Sequence, residues 1–225
     1  MRSIFLTVVL IAVTGLSAKE VSLSLKSIDS TLSVIAPHAQ DFPPSFSSVA
    51  ERRQIEAQLR ELLVMLDAAV AQYPDNPELL FRDGFANAMG HNLDFEGCAQ
   101  KYFKAFDRLL ELKPNDSRAN FYYGAFLSAT AARQKDSIAY LEKALALGVT
   151  DAHYTLAFVY LSQGDKAKAL SHLREYAKLH PDEPAIVQKI SEIENARIEI
   201  RHEPPPNYDE MLKKKEPNSE RSAAP

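Results

Sequence analysis

The sequence predicts an all-α fold made of repeated helical hairpins, on three observations. Apolar residues recur at helical spacing along most of the chain, and short breaks rich in glycine, proline, asparagine and aspartate separate the stretches. Pro74, Pro114 and Pro181 follow such stretches, and their residue numbers differ by 40 and 67, the second being about two periods of 33 to 34 residues. The stretch 150–183 contains one complete hairpin of two amphipathic helices. Repetition at this period indicates stacked hairpins, because no single hairpin can bury its apolar face alone.

The composition suits a soluble globular chain with one main domain. The 225 residues are 46% hydrophobic and 25% charged, which is ordinary for a protein with a sizeable core. The formal net charge of -4 argues against nucleic acid as a partner, because duplex binding usually needs a basic face. The sequence contains none of the compact phosphate-binding, dinucleotide-binding or zinc motifs. We therefore expect neither a cofactor nor a metal.

The first 18 residues have the pattern of a secretory signal. Arg2 gives a positive start, an apolar run extends from Ile4 to Val13, and small residues lie near Ala18. The run is shorter than the roughly 20 apolar residues that span a bilayer. We therefore expect cleavage after Ala18, no stable membrane insertion afterwards, and an exported protein, which in a bacterium is one of the periplasm. An uncleaved anchor is the alternative.

Residues 19–47 are predicted to form an N-terminal arm that precedes the repeats. A strand-like and a helix-like period compete in this segment, so it is interpreted as either a short helix or an extended arm. Ser48 and Glu51 then have the spacing of a capping box, and an amphipathic helix follows as far as Tyr73. This helix is expected to close one end of a repeat domain at 48–203.

Three helical hairpins are predicted, at about 77–113, 116–148 and 150–183. The first is about six residues longer than the period, and the excess is assigned to a break between Gly90 and Phe95. The answering helix is expected to run from Phe95 to Leu112. In the second hairpin, Asp116 is placed as a helix N-cap and Gly148 as a left-handed C-cap.

The end of the repeat domain is predicted from a stripe of isoleucines. Ile186, Ile190, Ile193 and Ile200 recur on one side of a helix at 184–202, and the opposite face is polar, as in a capping helix. A run of three prolines ends this helix, and the tail 204–225 is predicted to be disordered. Three successive lysines in the tail are interpreted as solvated, with an acidic partner or anionic lipid as the alternative.

The third hairpin resembles a tetratricopeptide repeat. Its residues at the family's signature positions are Leu156, Ala157, Tyr160, Ala169, Leu173 and Pro181. His153 stands where the family has a tryptophan. The second hairpin matches at Gly124, Leu127, Ser137, Leu141 and Ala144, and the first keeps Gly84, Phe106 and Pro114. The resemblance implies a right-handed, tetratricopeptide-like α-solenoid with a capping helix at each end.

The resemblance also implies a non-catalytic binding or assembly module. In this family the first helices of successive hairpins line a concave groove that holds an extended peptide or a partner's helix. The groove positions carried over to this chain are Glu78, Phe81, Phe85, Met89, Arg118, Phe121, Ala125, Ser128, Asp151, Tyr154, Phe158 and Leu161. Members that bind a terminal carboxylate have lysine and asparagine where this chain has Phe81 and Phe85, so that ligand is not expected. Alternatively, these aromatic residues are core between hairpins, or the N-terminal arm from Lys19 to Phe46 covers them.

Two other classes of function stay open. His91 and Asp94 lie in the irregular turn and could form the acid-base pair of an envelope enzyme, although Asp94 also suits a turn. A structural envelope protein that associates with itself is the other class.

The remaining candidates for chemistry have ordinary structural interpretations. The single cysteine, Cys98, falls on an apolar helix stripe and is expected to be buried. His153, His172 and His180 are expected to be surface or groove residues rather than metal ligands, because their spacing is not that of a zinc site.

Overall fold

A computed structural model of the chain describes residues 18–130 and 133–195, with side-chain burial from residue 25 onward. The described residues are helical, as the sequence predicts, and contain no strand. The predicted signal, up to residue 17, and the tail 204–225 lie outside them. The nine helices within the described ranges are α1 (Ala18–Ala39), α2 (Val49–Gln72), α3 (Pro77–Asn92), α4 (Cys98–Leu112), α5 (Ser117–Ser128), α6 (Gln134–Ala146), α7 (Ala152–Ser162), α8 (Lys166–Leu179) and α9 (Pro184–Glu194).

The chain divides into two compact units, Met1–Leu112 and Lys113–Pro225. In the first unit, α3 and α4 form a hairpin, and α1 and α2 pack against each other and against α3. In the second unit, α5 with α6 and α7 with α8 form two hairpins, and α9 packs on α8. Among the helices of the described residues, none combines the length and the apolar character that a membrane span requires.

The N-terminal arm contains a helix of 22 residues, α1, which is longer than the short helix considered from sequence. Its buried residues lie three and four positions apart, which is the helical period. They are Ile28, Leu32, Ile35 and Ala39, and all belong to one core with α2 and α3. The helical period therefore prevails over the competing alternation because it presents one continuous apolar side to that core.

The predicted N-cap of α2 at Ser48 is confirmed, whereas the reciprocal bond of the capping box reaches Ser47 instead of Ser48. The Ser48 hydroxyl accepts a hydrogen bond from the Glu51 backbone N–H at 3.1 Å. The Glu51 carboxylate reaches back and accepts from the hydroxyl and the backbone N–H of Ser47, the former at 2.8 Å. The bond to Ser48 satisfies an N–H group that the first turn of a helix leaves without an intrahelical partner, and the bonds to Ser47 fix the chain that enters the helix.

The break predicted between Gly90 and Phe95 is present but lies later in the chain, because α3 continues to Asn92 and α4 begins at Cys98 rather than Phe95. Gly90 is explained by the close approach of the two helices. A Cβ atom at Gly90 would lie 2.6 Å from the Cys98 sulfur, and one at Gly84 would lie 2.4 Å from the Phe106 ring. Both glycines therefore let α3 and α4 pack closely, and the excess length of this hairpin lies mostly in α3. Cys98 is buried, as expected.

Two predicted helix caps of the second unit, Asp116 and Gly148, are confirmed. The Asp116 carboxylate accepts from the Ala119 N–H at 2.9 Å and so caps α5. Gly148 follows α6 with a φ of 91°, the left-handed conformation that a glycine C-cap adopts. The helix α9 ends at Glu194 in the described residues, and the remainder of the predicted capping helix, from 196 to 202, lies outside them.

Candidate binding surface

The predicted binding residues of the second unit lie on α5 and α7, the first helices of its two hairpins, which contact each other. Arg118 is exposed, and the other predicted positions of α5 are partly exposed, namely Phe121, Ala125 and Ser128. On α7, Asp151 is exposed at the helix start, and Tyr154, Phe158 and Leu161 are partly exposed. The structure therefore brings these positions of two successive hairpins onto neighbouring helices.

Tyr154, Phe158 and Lys189 form an aromatic face in the second unit. The rings of Tyr154 and Phe158 lie 4.8 Å apart between centroids. The Lys189 ammonium, from α9, lies 5.3 Å from the Tyr154 centroid and 5.0 Å from the Phe158 centroid. It also donates a hydrogen bond to the Tyr154 hydroxyl at 3.0 Å. An ammonium over aromatic faces is attracted by their negative π charge, so Lys189 gives this face a positive charge.

A second layer of side chains supports Tyr154. The Tyr176 ring on α8 lies 5.2 Å from Tyr154, and the His180 ring stacks on Tyr176 at 4.0 Å with an interplanar angle of 17°. His180 Nε2 lies 3.3 Å from an Asp151 carboxylate oxygen. Burial raises the pKa of the Tyr176 hydroxyl, and the neighbouring Glu183 carboxylate adds to this. These contacts support the Tyr154 ring from the side of α8. They also connect Asp151 to His180 at the end of α8.

The aromatic residues of this surface are divided between core and solvent. Phe121 packs against the core formed by α6 and α7, and Tyr154 packs against the core formed by α7, α8 and α9. Leu161 contacts both of these cores. Each side chain nevertheless keeps part of its surface exposed. These side chains therefore contribute to the core and also keep part of their surface accessible to solvent.

In the first unit, the predicted positions on α3 are less uniform. Phe81 and Phe85 are partly exposed, with ring centroids 6.1 Å apart and planes within 10°. Met89 is fully buried in the core, so its assignment to a binding surface is wrong. Met89 lies four residues after Phe85, about one helical turn further along α3, but at this turn of the helix the side chain is enclosed in the core. Glu78 pairs with Arg82 at 2.8 Å.

The N-terminal helix α1 lies beside these residues of α3. Arg82 also holds both carboxylate oxygens of Asp29 on α1, at 2.7 and 2.8 Å. Phe85 packs against the core to which α1 contributes Ile28 and Leu32. In the first unit, α1 of the N-terminal arm thus covers part of the surface of α3 that includes Phe85, as one of the alternatives expects.

The irregular turn after α3 has structural contacts. Asn92 donates hydrogen bonds to the backbone carbonyls of Ala39 and Gln40, at 2.9 and 3.0 Å, and so holds the end of α1. Asp94 adopts a left-handed φ of 60°, which aspartate tolerates better than most residues. His91 is exposed at the end of α3. In the described residues, no group of three or more histidine, cysteine, aspartate or glutamate side chains is arranged to hold a metal ion.

A buried polar pair lies on α3, and the sequence did not identify it. Asn87 donates to the backbone carbonyl of Asp83 at 2.8 Å and to its carboxylate at 3.0 Å. Burial, with a smaller contribution from the Asp67 carboxylate, raises the pKa of Asp83 to about 6, although Lys101 and the bond from Asn87 oppose this. The only available signal was two polar residues four positions apart among small and apolar neighbours of one helix.

Comparison with known proteins places the chain in a class of fold. The tetratricopeptide repeat family model matches residues 150–193, which are the third hairpin and most of α9. A thermophilic TPR protein in Thermus thermophilus has a similar crystal structure, with a TM-score of 0.52 and 16% identity, over 78% of this chain and 91% of that chain. No curated protein matches. The predicted all-α, solenoid-like helical repeat is therefore confirmed, and the match to the repeat family covers its third hairpin.

Proposed function

We propose that this chain is an exported, non-catalytic binding module that holds a peptide or a partner's helix on α5 and α7. The observation that carries the proposal is the aromatic face, where Tyr154 and Phe158 stay partly exposed beside Lys189. Exposed aromatic surface with a polar rim is typical of binding sites for peptides and helices. The repeat fold supports the same class of function.

The chemistry of the surface indicates how a partner is held. The rings of Phe121, Tyr154 and Phe158 offer apolar area that a partner's side chains can cover. Arg118 and Lys189 add positive charge at the edge of this area, which orients polar or acidic groups of the partner. Phe81 and Phe85 of α3 form a second, smaller aromatic patch within the first unit.

The binding test compares two exposed apolar side chains of the second unit. Phe158→Ala removes a ring of the aromatic face, and Leu179→Ala removes a side chain that is 51% exposed at the end of α8. Partners captured by the mature protein from its exported fraction are then measured against both variants. We expect Phe158→Ala to weaken binding about tenfold, as truncation of an aromatic anchor does, and Leu179→Ala to leave it unchanged. Equal affinities of both variants and the parent would contradict the proposed surface.

Export is tested separately. N-terminal sequencing of the protein recovered from the exported fraction of its own cells is expected to begin at Lys19. An intact start at Met1 in a membrane-free cytoplasmic fraction would refute this part of the proposal without affecting the binding surface. The mass of the mature protein in solution decides whether self-association contributes, because a strict monomer excludes that role.

A further inference from the structure

Two histidines meet between the helices of the third hairpin. His153 on α7 and His172 on α8 have Nδ1 atoms 2.8 Å apart and ring centroids 5.1 Å apart. A neutral imidazole has one N–H and one acceptor nitrogen, whereas an imidazolium has two N–H groups and no acceptor. A hydrogen bond between these two nitrogens therefore needs at least one Nδ1 atom without a proton.

The surroundings of the histidine pair, His153 and His172, limit how far the rings can move apart. The Tyr160 ring lies parallel to His172, with centroids 5.5 Å apart and an interplanar angle of 14°. The Tyr160 hydroxyl donates to Glu142 on α6 at 3.1 Å, and the Lys168 ammonium lies 4.8 Å from the Tyr160 centroid. The Tyr160 ring that stacks on His172 is thus itself contacted from α6 and α8.

Burial favours the neutral form of both rings, and the nearby charges act in both directions. Burial lowers the pKa of His153, and Glu175 on α8 opposes this. Burial also lowers the pKa of His172; His153 and Lys168 add to this, whereas Glu142 opposes it.

Several other charges on the helices of this unit have partners of their own. Glu194 of α9 accepts from Arg174, and Lys189 of α9 lies over the aromatic face. On α5, Arg118 lies 3.7 Å from Asp116. The balance at the pair is therefore set by its burial and by Glu142, Lys168 and Glu175.

We propose that the histidine pair is an acid-sensitive contact that holds α7 against α8 when at least one ring is neutral and releases it when both rings are protonated. A single added proton is compatible with the contact, because the imidazolium N–H still donates to the neutral ring. The second proton leaves two N–H groups and two positive charges facing each other. The protons are thus taken up in two coupled steps that belong to the pair.

The direction of the effect follows from the lowered pKa values. The unfolded histidines have an ordinary value of 6.5, so below about pH 6.5 the unfolded state binds protons that the folded hairpin still excludes. The stability that the pair contributes is complete above pH 6.5 and is lost as the pH falls through the lower, folded values. Because α7 carries Tyr154 and Phe158, release of the hairpin also disturbs the aromatic face.

The test uses the full chain and a double variant, His153→Asn with His172→Asn. Asparagine places a hydrogen-bonding group near the Nδ1 position and does not titrate. Backbone hydrogen exchange reports the opening equilibrium of α7 and α8 between pH 7.5 and 4.5. We expect the parent to lose protection relative to the double variant by up to tenfold per pH unit for each excluded proton. A matched control, His91→Asn in the first unit, should follow the parent.

An identical pH dependence of the double variant and the parent would overturn the proposal. If the double variant does not fold, NMR titration of the two histidine rings in the parent decides instead. Coupled, two-step titration below pH 6.5 supports the pair, and independent titration of both rings at their ordinary value refutes it.

Discussion

The first hairpin, α3 with α4, and the third, α7 with α8, follow one plan but bring their helices together differently. In the first, the Phe106 ring occupies the space that a Cβ atom at position 84 would need, and Gly84 stands there. In the third, Ala157 occupies the corresponding position of the repeat, and the residue, including its methyl group, is buried. Position 84 therefore has no room for a Cβ atom, whereas the third hairpin accommodates a methyl group at position 157.

The two hairpins also differ in where they keep polar groups. The first encloses Asp83 and Asn87, which are 7% and 0% exposed, whereas His153 and His172 in the third stay partly exposed. A buried carboxyl favours its protonated form, and a buried imidazole favours its deprotonated form. Acid should therefore stabilise the first hairpin and weaken the third. The same repeat plan can thus give opposite responses to pH, depending on which titratable residues it buries.

The largest expected effect distinguishes the packing of the two hairpins. We expect Gly84→Ala to lower the free energy of unfolding by about 2 kcal/mol, since overpacking costs up to about 3 kcal/mol and helix propensity returns about 1 kcal/mol. Urea denaturation of the variant and the parent measures this difference in the free energy of unfolding. When Gly84→Ala is made in the Phe106→Leu variant, its cost in the free energy of unfolding should be smaller by at least about 1 kcal/mol than in the parent. Such coupling is expected for residues in direct contact. Additive effects would show that the glycine is not required by the Phe106 ring.

The next effect concerns the buried carboxyl of the first hairpin. We expect Asp83→Asn to stabilise the protein by about 1 to 2 kcal/mol at pH 8. The carboxyl has a pKa of about 6 when folded and 3.8 as its ordinary value, so the folded state alone takes up a proton as the pH falls from 6 to 4. The new amide can also donate to Asn87 Oδ1, which has no partner within the described residues. Unfolding free energies at pH 8 and pH 4.5 should converge for variant and parent at the lower pH. A variant that is less stable than the parent at pH 8 would contradict this.

The smallest effect compares the starts of the two hairpins. Asn76 accepts hydrogen bonds from the N–H groups of Glu78 and Leu79 and caps α3, whereas Asp151 makes no side-chain cap to α7. Asn76→Ala should therefore cost about 1 kcal/mol and Asp151→Ala less than about 0.5 kcal/mol in thermal unfolding. Equal losses would mean that Asp151 stabilises α7 in another way, for example through His180.

Local signals in the sequence were sufficient for features that depend on neighbouring residues. The N-caps at Asp116 and Ser48 and the C-cap at Gly148 were predicted correctly, because each needs only a few adjacent positions. The burial of Cys98 followed from helical periodicity. The regular third hairpin was also sufficient to indicate the repeat class, which the family match confirms for residues 150–193.

Features that depend on contacts between distant helices were not predictable in the same way. Gly90 has the local character of a helix break, and only the Cys98 sulfur on α4 explains why α3 continues through it. From the sequence, Lys189 was assigned to the polar face of a capping helix. Its position over the rings of Tyr154 and Phe158 depends on how α9 packs on the hairpin. His153 and His172 are 19 residues apart, so their contact depends on the register between α7 and α8.

The most direct measurement is hydrogen exchange of both hairpins in one sample at pH 7 and pH 5, expressed as protection factors. Opposite changes are predicted. Amides of α3 and α4 should gain protection at pH 5, because the folded first hairpin takes up a proton at Asp83. Those of α7 and α8 should lose protection, because the folded third hairpin excludes protons from its histidine pair. Changes of the same sign in both hairpins would contradict the account.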